Sequence, residues 1–95
     1  MVVALGLIVL RLHDCHSLKE KRGVVKSVIA RTANRFNASV AETGALDIYQ
    51  RAEIGFALVG NDRRHLNAVA EKLFSFVEET GLAEVIDTQL ELQNI

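Results

Sequence analysis

From Val2 to Leu12 every position except Arg11 is aliphatic or glycine. The run falls far short of the roughly 20 residues that span a bilayer. It also lacks the basic n-region and the small-residue cleavage site of a secretory signal. A stretch this dense in valine, isoleucine and leucine is expected to form a central β-strand, shielded on both faces. The rest of the chain must therefore be arranged around its own first segment.

After that strand the hydrophobic period changes. Leu18, Val25, Val28, Ile29, Thr32 and Phe36 fall on one side of a helical wheel, and Ser17 with Glu20 forms an S-x-x-E capping box, so a helix is predicted from Ser17 to about Arg35. Phe36, Ala38 and Val40, then Ala52, Ile54, Phe56 and Leu58, alternate with polar or small residues and predict two half-buried strands joined by a long hairpin loop, Thr43 to Gln50. Beyond Gly60-Asn61-Asp62, whose Asn or Asp can cap a helix, Leu66, Val69, Ala70, Leu73, Phe76 and Val77 line a second helix that Gly81 ends. A last strand, Ala83 to Leu92, sets Ile86, Leu90 and Leu92 against Val85, Asp87, Gln89 and Glu91.

Two helices cannot cover both faces of a four-stranded sheet. The expected architecture is therefore α+β: a ferredoxin-like split βαβ sandwich (βαββαβ), with an antiparallel sheet of order 4-1-3-2 and both helices on one face. On the other face this reading places Val3, Leu5, Leu7 and Val9, together with Ala57, Val59 and Val85. An exposed aliphatic patch of that kind usually marks an interface, here of a homodimer or larger oligomer.

The 95 residues form one domain, with no repeat and no low-complexity tract. Cys15 is the sole cysteine, so no intramolecular disulfide calls for an oxidising compartment, and a cytoplasmic location is expected. The net charge of −1 conceals an uneven distribution. Between Ser17 and Arg35 six bases face Glu20 alone, a local +5, which leaves −6 for the remainder.

Four segments resemble the YlxP-like family of small bacterial proteins. They are Ser17-Leu18-Lys19-Glu20-Lys21-Arg22, Asn34-Arg35-Phe36-Asn37-Ala38-Ser39-Val40-Ala41-Glu42, Asp47-Ile48-Tyr49-Gln50-Arg51-Ala52 and Asn61-Asp62-Arg63-Arg64-His65, in that order along essentially the whole chain. Relatives commonly carry Trp where Tyr49 stands and a larger side chain where Gly23 stands. The resemblance implies a ferredoxin-like fold and a translation or ribosome-maturation context. It supplies no catalytic residue.

Charge placement gives the best functional candidate. A helix start bears roughly half a positive charge, so Lys19, Lys21 and Arg22 oppose the dipole by about 0.3–1 kcal/mol each. Lys19, Arg22 and Lys26 form one stripe at spacings of three and four. Arg63, Arg64 and His65 open the second helix with the same polarity. Structured RNA or a ribonucleoprotein particle, held through phosphates by Lys19, Lys21, Arg22, Lys26, Arg63 and Arg64, fits this pattern. The competing structural reading pairs the first group with Glu78 and Glu79 and leaves the second solvated beside Asp62. A third possibility is an oligomeric interaction or regulatory module without nucleic acid.

Other chemistries are poorly served. His13, Asp14, Cys15 and His16 include metal-ligand types, yet no second His or Cys pair lies nearby to complete a site, and no cofactor or metal is expected. Cys15 and His16, adjacent at a strand end, point apart and lack an orienting third group, so no catalytic residue is assigned. Acylphosphatases, which share this fold, use a glycine-rich loop and an arginine after the first strand; Leu12-His13-Asp14-Cys15-His16-Ser17 has neither. Stacking of bases on the open sheet needs exposed aromatics, and the outward residues are aliphatic, small or charged. Tyr49, outside the expected core, either contacts a partner or packs its own loop.

Overall fold

A computed structural model describes residues 1–95. Its elements follow in the order β1 (Val2–Arg11), α1 (Leu18–Phe36), β2 (Ser39–Gly44), β3 (Arg51–Gly60), α2 (Arg63–Glu79) and β4 (Glu84–Asn94). The sheet order is β2-β3-β1-β4 with every neighbour antiparallel, which is the expected 4-1-3-2 arrangement read from its other edge. Strand β1 is central because it can hydrogen-bond on both edges while its even-numbered residues enter the core. Val2, Ala4, Ile8 and Leu10 are buried with Ala52, Ile54, Phe56 and Leu58 of β3. Helices α1 and α2 close that face with Val25, Val28, Leu66, Ala70, Leu73 and Val77.

Side-chain oxygens set both helix starts. Ser17 accepts from the Glu20 amide at 3.1 Å, and Glu20 returns a carboxylate to the His16 amide at 3.3 Å. Asp62 accepts from the amides of Arg64 and His65, at 3.0 and 3.3 Å. Helix α1 runs on through Phe36, which the alternation Phe36, Ala38, Val40 had assigned to a strand. Asn37 ends the helix in the left-handed region, φ 49° and ψ 47°, which Asn tolerates better than most residues. Phe36 instead meets Phe76 of α2 edge to face, with centroids 5.5 Å apart.

Strand β4 departs from its alternation. Val9 pairs with Asp87 but Leu10 pairs with Val85, so one extra residue, Ile86, is inserted in β4 as a bulge. The insertion reverses the parity of everything before it. Val85 consequently packs against the helix-side core with Leu90 and Leu92, and Ile86 is 39% exposed. The assignment of Val85 to the open face is thereby corrected.

Candidate functional site

On the open face, register places Val3 beside Val59, Leu5 beside Ala57, and Val9 beside Glu53. Val3, Leu5, Leu7, Val9, Ala57 and Val59 therefore share that surface. Leu5 and Val59 are exposed, Val3, Leu7 and Ala57 half-buried, and Val9 is buried, flanked by Glu53 and Asp87.

The basic residues divide differently from the expectation. Lys19, Arg22 and Lys26 are exposed on α1. None has a carboxylate within ion-pair distance, since the chain's three ion pairs are His13–Glu84, Lys21–Glu42 and Arg51–Glu53. Glu78 and Glu79 do not reach them.

Lys21 is the correction. Its side chain is 1% exposed and its Nζ lies 2.9 Å from Glu42 Oε2 while donating to the Ala45 carbonyl at 2.6 Å. The contact to Glu42 is electrostatic and off the line of a hydrogen bond, because that oxygen has no hydrogen-bond partner. No phosphate can reach this ammonium. The cause is position rather than type. Lys21 stands four, seven and eleven residues before Val25, Val28 and Thr32, all buried, and shares their face of the helix.

This anchor has a local consequence. Lys21 ties down Ala45 at one end of the β2–β3 loop, and at the other end the Gln50 side chain donates to the Cys15 carbonyl at 3.4 Å. The loop is thus held beside the first turns of α1, with Leu46, Ile48 and Tyr49 exposed on it.

At the start of α2, Arg64 is exposed and unpaired, whereas Arg63 donates to the Leu92 carbonyl of β4 at 3.3 Å. The two basic zones lie at opposite ends of the helical layer. The end of α1 lies beside the second half of α2, where Phe36 meets Phe76. Arg22 is about 21 Å from Phe36 along α1 and Arg64 about 18 Å from Phe76 along α2, so the two zones stand well over about 20 Å apart.

The segment between β1 and α1 does not converge on one centre. His13 Nε2 turns to Glu84 Oε1 at 3.1 Å, and Cys15 is buried. Leu12, His13, Asp14, Cys15, Glu20, Gly23, Val24 and Leu82 line a shallow depression there. Burial pushes the Cys15 thiol above its ordinary value; Glu20 and Asp14 push it the same way, against a smaller opposing pull from Lys21. A thiol held neutral in this way is a poor nucleophile and a poor metal ligand. No helix is long and apolar enough to cross a membrane.

Comparison with known proteins bears on the family and the fold. The family model described as "Protein of unknown function (DUF503)" matches residues 3–90. The uncharacterised protein YlxP of Bacillus subtilis (strain 168) is 36% identical over 67 residues, covering 70% of this chain and 73% of YlxP. Among solved structures, the de novo designed protein Foldit4 superposes with a TM-score of 0.55 at 7% identity, covering all of this chain and 99% of its own. The de novo designed protein LFR1 1, with a ferredoxin fold, gives 0.53 at 12% identity, covering all of this chain and 87% of its own. At such identities these designs speak to the fold alone.

Proposed function

The chain belongs to the DUF503 family, and from that premise we propose that it is a non-enzymatic, cytoplasmic module that binds structured RNA, free or in a ribosomal particle, through phosphates. One observation carries the reading. Lys19, Arg22 and Lys26 are exposed along one stripe in the first half of α1, Lys19 in the first turn where the helix dipole disfavours cations, and no carboxylate of their own chain pairs with them. Arg64 adds a second, weaker contact at the far end of the helical layer, more than about 20 Å away. A ligand that meets both must be extended and stiff, as an RNA duplex is. Lys21 has no part in binding, and Arg63 a reduced one.

The test is a fluorescence-anisotropy titration of a labelled RNA hairpin at increasing salt. Three phosphate contacts correspond to a slope near −2.7 in log K against log salt, about a 40-fold loss of affinity between 50 and 200 mM. Replacing Lys19, Arg22 and Lys26 together by Glu should abolish binding, whereas Arg63→Gln should change it little. Affinity indifferent to salt, or to the triple reversal, refutes the reading.

A further inference from the structure

Strand β1 is apolar on both faces, and the fold covers only one. Ala4, Ile8 and Leu10 are sealed under the helices, while on the opposite face Leu5 is 39% and Val59 67% exposed. The rows through Val3, Leu5 and Leu7 hold Val59, Ala57 and Gly55 on β3 and Gln93, Glu91 and Gln89 on β4. They contain neither an aromatic ring nor a cation. That composition suits neither base stacking nor phosphate contact.

We infer that this face is a self-association surface whose occupant is a second copy of the chain, stacked sheet on sheet. The area is sufficient. Three strands of ten or eleven residues and β2 of six, about 4.8 Å apart with a rise of about 3.3 Å, present roughly 570 Å². Two such faces bury roughly 1,100 Å², which clears the roughly 1,000 Å² that a specific interface needs.

Charge selects the orientation. A two-fold axis lying between the sheets and across the strands lays β4 on its own copy and sets Asp87 and Glu91 against acids. An axis along the strands, between β1 and β3, instead lays β4 over the uncharged β2 edge of Ser39, Ala41 and Thr43 and avoids that repulsion. The second arrangement also seats Leu5 of each copy over Ala57 of the other. Arg11 and Arg51 occupy the end of the sheet, where two sheets crossing at about 30° diverge.

The experiment is sedimentation velocity on the full chain, freed of nucleic acid by nuclease and high salt, across a dilution series. The parent is expected at twice 10.5 kDa, dissociating on dilution. Leu5→Lys and Ala57→Glu, each on the uncovered face, should each give a monomer with an unchanged circular dichroism spectrum. Mixed together, they should recover the doubled mass, because the chosen axis opposes the new cation to the new carboxylate. A parent that is monomeric throughout, or variants that dimerise as the parent does, overturns the proposal; a mixture that stays monomeric overturns the orientation. None of these substitutions touches α1, so RNA binding and self-association fail or succeed independently.

Discussion

Replacing Lys21 by methionine keeps the length of the side chain, removes its charge, and leaves the Glu42 carboxylate, whose side chain is 18% exposed, without a counter-ion. At an effective dielectric near 20, unit charges 2.9 Å apart attract by about 6 kcal/mol. Desolvation of both ions cancels much of that, so the intact pair adds little net stability. Breaking it from one side is different, because the remaining ion stays desolvated and uncompensated, at about 3–5 kcal/mol for a fully buried partner. Glu42 keeps some water, which sets the expectation at the low end, about 3 kcal/mol. In a chain of this length that is a fall in Tm of roughly 12–24 °C.

The bond to the Ala45 carbonyl is lost as well, so amide exchange should rise across residues 45–50 more than in β1. Glu42→Gln leaves the more deeply buried Lys21 ammonium with the Ala45 carbonyl as its sole partner and should cost at least as much, about 3–5 kcal/mol. Urea melts of both single variants and of Lys21→Met/Glu42→Gln complete a cycle, in which the double variant is expected to fall short of the summed single costs by about 2 kcal/mol. A Lys21→Met cost below about 1 kcal/mol, or single costs that add within about 0.5 kcal/mol, refutes a buried, coupled ion pair. RNA affinity of Lys21→Met at temperatures where it is folded should equal that of the parent, since this ammonium never meets solvent.

Gly6→Ala should destabilise by about 1–3 kcal/mol, because an added Cβ would sit 2.1 Å from the Phe56 ring, which is itself held edge to face by Phe74; an unchanged Tm counts against that packing. For Cys15 the folded state favours the neutral thiol, since burial raises its pKa above the reference of 9.0. The unfolded chain therefore ionises first, so this contribution is intact below about pH 9 and is lost as pH climbs through the folded-state value. Urea midpoints of the parent should fall more steeply above pH 9 than those of Cys15→Ala, and parallel curves would contradict the burial.

Element types, their order and the sheet topology were legible because each rests on periodicity over many residues. The capping box at Ser17 and Glu20 and the Asp62 cap were legible because a short polar side chain before an apolar-periodic segment has few other uses. Phe36 was harder to place. It fits both the helical stripe of Leu18, Val25 and Thr32 and the alternation with Ala38 and Val40, and the decision falls to Asn37, whose left-handed backbone stops the helix after Phe36 rather than before it. Val85 was illegible for a sharper reason, since period two carries no record of an inserted residue. Bulging Ile86 in β4 is visible only against the partner strand β1.

The Lys21 error has a different origin and bears on how the surface of α1 is to be read. Grouping Lys19, Lys21 and Arg22 as one basic cluster follows charge along the chain, but along a helix residues two apart face different ways. Helical angle separates Lys21 from Lys19 and Arg22 and joins it to Val25, Val28 and Thr32, and that signal was present in the sequence. A lysine at such a position demands a carboxylate from another element, because an isolated ammonium cannot be buried. In the assembled sheet that acid is Glu42 of β2. The same argument sorts the rest of the stripe: Lys19, Arg22 and Lys26 lie at other angles, stay exposed and pair with no acid of their own chain, which leaves them free to meet an anionic partner as proposed above.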